Sequence, residues 1–161
     1  MNIFLLSRNT KQCAQMYCDQ HVIKILLEIV QMLYTAWHMS GLPANWKPPL
    51  SKSGARGYKK AHPNHPMCKW VRSSKTAYCF AARLGMQLAI EYNFRFNKCH
   101  ACTKHVLWLS EHLPTFELPI KFPQCMPDEH KQSDTVKAYL SYYKTKTFAK
   151  WTKRKNFQYI K

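Results

Sequence analysis

Residues 11–39 contain neither proline nor glycine, and Val22, Ile23, Ile25, Leu26, Leu27, Ile29, Val30, Met32 and Leu33 spread around most of a helical circumference. A helix that is apolar nearly all round has to be covered by other elements. A chain built on such a segment folds around it. Asn9 or Thr10 suits its N-cap, and Gly41-Leu42-Pro43 supplies the stop.

The cover reads as helical too. A second helix is expected from Pro66 to about Asn93, since proline suits a first helical turn. A third spans about 98–112 and ends before Pro114. A fourth begins at Ser133 or Asp134, where an acidic side chain suits the positive end of the helix, and reaches about Lys146. A last short helix is expected over 147–155. Residues 2–6 are an apolar run, either an extended arm or a lead into the first helix. Residues 43–64, with Pro43, Pro48, Pro49 and Pro63, read as a long loop that is basic from Lys47 to Lys60. Residues 113–132 are punctuated by proline, and no period-2 strand is visible. The expected fold is all-α: a compact single-domain helical bundle over 1–161 with a long Pro-rich basic loop and no internal repeat.

Charge constrains the partner. The chain carries 25 Lys+Arg against 8 Asp+Glu, a net charge of +17. Such a balance costs self-repulsion on folding, and a polyanionic partner relieves it. A basic surface kept for solubility is the plainer reading, but acidic residues serve that end better. From Lys137 onward there are eight basic residues and no acid, interleaved with Tyr139, Tyr142, Tyr143, Phe148, Trp151, Phe157 and Tyr159. Cations neutralise phosphates and aromatic rings stack on unpaired bases. DNA is the expected partner, with RNA the second choice. A membrane surface is set aside because this segment favours Tyr over Leu. Candidate contacts are Lys59, Lys60, Lys69, Arg72, Tyr142, Tyr143, Lys144, Lys146, Lys150, Trp151, Lys153 and Arg154.

No run approaches the ~18 apolar residues of a membrane span, and Met1–Arg8 has no signal-peptide pattern. The expectation is a soluble intracellular monomer, in the cytoplasm or nucleus of a host or in a virion. Seven cysteines, an odd number, are expected as free thiols. No cofactor or metal is expected.

The long helix also carries a polar seam: Tyr17, His21, Lys24, Glu28, Gln31 and Thr35, spaced three and four apart on one face. Lys24 and Glu28 can pair at i, i+4, and buried charges must be paired or used. A self-satisfying salt bridge is one reading. With His21 and Gln31 on the same line, the seam also reads as a site where a carboxylate, an amine and an imidazole meet.

Asp19-Gln20-His21 followed by Glu28 resembles the phage-type pyrimidine-dimer DNA glycosylase/AP lyase family, the endonuclease V type. That family has an Asp-Gln-His triplet and a catalytic Glu at the separation of His21 and Glu28, and closes on a Tyr-Tyr-rich basic segment like Tyr142-Tyr143-Lys144. The chain is also similar to proteins of large DNA viruses and phages that open with a Cys-Ala…Asp-x-His helix. The resemblance implies a compact basic helical domain acting on DNA. The nucleophile would be the chain's own α-amine, on Met1 or, after Met1 removal, on Asn2; the size of Asn2 favours retention of Met1. An α-amine titrates near about 8, so a fraction is neutral at pH 7. The amine would attack the anomeric carbon and form a Schiff base. Glu28 would stabilise the developing positive charge and assist proton transfer, and Gln20 and His21 would contact the backbone or the extruded base. Lys24, its pKa lowered by burial, is the other candidate amine. Leu27, Gln31 and Ile3 stand where the family has arginines that grip phosphates around the lesion.

His62-Pro63-Asn64-His65 reads as a phosphate contact or site wall rather than a zinc half-site, which lacks two ligands. Cys99, Cys102 and His105 read as ordinary groups on an amphipathic helix. Two alternatives to the glycosylase stand: a basic DNA-binding protein without chemistry, architectural or for viral packaging, and a nuclease using His62, His65 and a metal.

Overall fold

The computed structural model describes residues 1–154, and among them six α-helices and no strand are found. They are α1 (Thr10–Met16), α2 (Asp19–Ser40), α3 (Pro66–Ser73), α4 (Lys75–Phe96), α5 (Thr103–Glu111) and α6 (Thr135–Lys144). A 3-10 turn covers Asp128–His130. α2 lies against α3, α4 and α5, and α4 also packs on α1. Cover comes from the N-terminal arm as well: Ile3, Phe4, Leu5 and Leu6 are buried outside any helix.

The expected 11–39 helix is two helices. Tyr17 and Cys18 are extended, and the backbone groups freed there find distant partners. The Cys18 N–H donates to the Tyr143 hydroxyl at 2.8 Å, and the Met16 carbonyl accepts from the Trp151 indole at 2.9 Å. Buried backbone groups must be satisfied, and the break is stable because those two side chains satisfy it. The second expected helix also breaks, at Ser74, whose hydroxyl accepts from Ala77 N at 3.1 Å and caps α4. Asp134 caps α6 by accepting from the Val136 and Lys137 N–H groups. The expected helix over 147–155 is absent from its described part. Residues 147–154 instead run back to α2, where the Lys150 carbonyl accepts from Asp19 N at 2.8 Å.

α2 has the length and apolarity of a membrane span, with a mean hydropathy of 1.2, contrary to the expectation of no such run. Of that window 61% is buried inside the protein, as expected for a core helix. All seven cysteines are free.

α2, α4 and α5 meet at Gly85. A Cβ there would sit 2.8 Å from Val106 Cγ2 and 3.1 Å from Ile29 Cγ2. Both neighbours are β-branched and stiff. Gly85→Leu should therefore cost about 3 kcal/mol through overpacking, or about 6–12 °C in thermal unfolding. A circular-dichroism melt shifted by less than about 2 °C would show that the crossing can yield.

Candidate functional site

The N-terminal arm runs beside the seam of α2 and builds a site at its middle. Asn2 is fixed through its side chain. Its Nδ2 donates to the Cys125 carbonyl at 3.0 Å, and its Oδ1 accepts from Ile3 N at 2.9 Å and lies 3.2 Å from the Tyr139 hydroxyl. So held, the Asn2 backbone nitrogen donates to Glu28 Oε2 at 2.8 Å. Met1 reaches α3, its thioether 3.5 Å from the Cys68 thiol. The terminal amine and Glu28 both act electrostatically on His65 and Cys68, one turn apart on that helix.

Glu28 is nearly covered, its side chain 12% exposed, whereas Lys24 beside it is 70% exposed. Their 3.8 Å pairing bears out the i, i+4 reading. The expected burial of Lys24 does not occur, because its position on α2 faces out, between the arm and solvent. An exposed i, i+4 pair stabilises by about 0.5 kcal/mol, too little to fix the carboxylate; the Asn2 N–H is the shorter contact.

His21 is buried one turn before Lys24 and two before Glu28, stacked on Phe4 at 4.7 Å. The Tyr143 hydroxyl accepts from Cys18 N and lies 2.7 Å from His21 Nδ1, so its proton is free for that nitrogen. Burial first, then the charges of Lys146 and Lys24, push the imidazole down to about 4. His21 is therefore a neutral ring packed among Phe4, Tyr143 and Phe148, two helical turns from Glu28. His65 caps α3 by accepting from Met67 N at 3.1 Å through Nδ1. Burial, then the amino terminus and His62, lower its pKa against the pull of Glu28.

A groove of about 800 Å³ opens beside the seam, at Gln31. Leu27 and Gln31 of α2 form one wall, and Lys52, Tyr58, Lys59 and Lys60 of the 41–65 loop another. Gly57, at φ +70°, lets that loop close on Tyr34, whose ring a Cβ would meet at 2.7 Å. Of the sequence-based contacts, Gln20, Lys59, Lys60, His62, Lys69, Lys144 and Lys150 are exposed. Tyr142 is half-buried with Lys146 Nζ 3.7 Å above its ring.

Other candidates are buried or tied to partners within the protein, Lys153 among them while remaining exposed. Tyr143 and Trp151 are buried, 1% and 4% exposed, and hold the α1–α2 break, so neither offers a ring to a base. Arg72 is buried, donating to Glu117 at 2.6 Å and to the Pro63 carbonyl. Arg154 grips both oxygens of Glu91 at 2.8 Å, and Lys153 donates to the Phe94 carbonyl at 2.8 Å. Phe157 and Tyr159 lie outside the described residues.

Six of the eight acidic side chains have an internal partner: Asp19, Glu28, Glu91, Glu117, Asp128 and Asp134. With 25 Lys+Arg against 8 Asp+Glu, and Asp19, Glu28 and Glu91 partly or wholly covered, the surface stays strongly basic. No cluster of three His, Cys, Asp or Glu suited to a metal occurs among the described residues. Cys102 is buried against the Tyr58 hydroxyl, and His105 lies 2.8 Å from the Tyr34 hydroxyl.

The sequence did not point to the side-chain anchors of Asn2. Cys125 and Tyr139 lie 123 and 137 positions away, with no periodicity linking them. No known family, curated protein or solved structure matches the chain.

Proposed function

We propose that the protein is a DNA-acting N-glycosylase/AP lyase whose carboxylate is Glu28 and whose nucleophile is the α-amine that opens the chain. The observation that carries this reading is the 2.8 Å contact between the Asn2 backbone nitrogen and Glu28 Oε2. It puts the amine of Met1 one residue from the carboxylate. Removal of Met1 would turn the contacting nitrogen itself into a primary amine.

The chemistry suits that pair. The neutral amine attacks C1′ of the sugar. The glycosidic C1′–N bond breaks, and the base leaves with the electron pair and takes up a proton. Ring opening gives an iminium ion, which the adjacent carboxylate stabilises. Loss of a C2′ proton then expels the 3′-phosphate and nicks the strand. Neutral His21, stacked on Phe4, supports the arm rather than supplying a proton at neutral pH. The target base has to leave the helix stack to reach the arm.

The second reading is a DNA-binding protein without chemistry. The same Asn2–Glu28 bond favours it, since a peptide N–H held by a carboxylate is also a sound structural tie. A metal nuclease is the weaker case: His65 has one nitrogen engaged as a cap, and no third ligand joins it and His62 in a cluster among the described residues.

Incubation with abasic-site DNA and borohydride separates the readings. The expected result is a reduced covalent adduct whose tryptic mass lies on the N-terminal peptide. An adduct on Lys24 would move the nucleophile. No adduct, with DNA still bound, would leave the binding reading.

A further inference from the structure

The groove beside Glu28 has the dimensions of a ligand site and the lining of a phosphate track. Its roughly 800 Å³ is within the range of small-molecule pockets. Lys52, Lys59 and Lys60 line it, with Tyr58 and Tyr92, and none of its described lining residues is acidic. Its rim is continuous with the candidate site. Ala61, at the edge, accepts from the Thr35 hydroxyl and approaches the Cys68 thiol at 3.7 Å, and that thiol touches Met1. Gln31, one helical turn from Glu28, forms the opposite edge.

A concavity of about 800 Å³ cannot enclose a duplex, whose phosphates lie on the outside of a broad cylinder. It suits nucleotides already separated from their partners, with phosphates against the lysines and bases near the tyrosines. We propose that the groove binds an unpaired stretch of polynucleotide, three phosphates long, and leads it to the arm at Glu28. The assignment to a strand under reaction rests on the glycosylase reading; binding by the groove does not.

The test is fluorescence anisotropy of the full chain with labelled oligo(dT) across a salt series. The comparison is between Lys52→Gln/Lys59→Gln/Lys60→Gln and a control with the same charge loss at exposed lysines elsewhere, Lys75→Gln/Lys104→Gln/Lys137→Gln. Single-strand binding releases about 0.7 counterion per phosphate neutralised. The groove variant should lose about 2 from the slope of log K against log salt, and the control much less. Equal loss in both variants, or a groove variant that binds oligo(dT) like the parent, overturns the proposal. So does binding only to anionic vesicles or an acidic peptide. A groove-dependent slope in a protein that forms no borohydride adduct supports the groove and sinks the enzyme. An adduct forming at parental rate on single-stranded abasic DNA in the groove variant does the reverse.

Discussion

Glu28→Gln is expected to lower turnover of abasic-site DNA by a factor of about 100–10,000, the range over which a positioned acid–base group contributes, while the protein still folds and still binds DNA. The substitution keeps an oxygen where Oε2 accepts from Asn2 N at 2.8 Å, so the arm stays tied. The lost contact to Lys24 is an exposed pair at 3.8 Å and stabilises little. What disappears is a full negative charge next to the place where the proposed mechanism forms its iminium. A neutral amide cannot offset that charge or accept the proton released. Affinity should hold or rise, since one anion leaves the surface proposed to meet phosphates. The measurement is single-turnover cleavage with anisotropy and a thermal melt on the same preparation. Turnover within about threefold of the parent, with both controls unchanged, would remove Glu28 from the chemistry and leave its bond to Asn2 as architecture.

The parts of this molecule legible in the sequence are those decided locally. The apolar circumference of α2, the Pro66 start of α3 and the Asp134 cap of α6 each follow from residues within a turn of the feature. The α1–α2 break does not. Its cause is a hydroxyl from Tyr143 and an indole from Trp151, more than 120 residues on. Tyr142 and Tyr143 make the same point about the site. Both are aromatic neighbours in a basic segment, but on a helix they point about 100° apart. One is half-exposed under Lys146 and the other fills the core. Composition cannot separate them; the packing of α6 against the arm does. Glu28 was legible because its seam is periodic. The bond that gives it a chemical neighbour was not, because a non-helical arm has no period to read.

Glu91→Gln should strongly destabilise the protein, costing about 3–5 kcal/mol, as breaking a buried ion pair does. At about 2–4 °C per kcal/mol for a domain of this size, that is roughly 6–20 °C in thermal unfolding. Glu91 is buried and bonds Arg95 at 2.7 Å and Arg154 at 2.8 Å; Arg95, with no exposed side-chain surface, also bonds Asp19 at 2.9 Å. Two cations and two anions thus close a neutral cluster that joins α2, α4 and the returning C-terminal segment. Neutralising Glu91 leaves a buried guanidinium with half its compensation. The effect depends on pH in a definite sense. Burial pushes the Glu91 carboxyl up, but hydrogen bonds from Arg154 and Arg95 outweigh it and hold it below its ordinary value of 4.5. A carboxylate lowered on folding contributes stability that is fully present above that ordinary value and is lost as pH falls through the folded one. Parent and variant melts should therefore lie far apart at pH 7 and converge in acid. His21 and His105, both pushed down to about 4 chiefly by burial, take up protons in either protein and cancel from the difference. A gap under about 2 °C at pH 7, or one that stays constant from pH 7 to 3, would show that packing rather than charge holds the returning segment to α4.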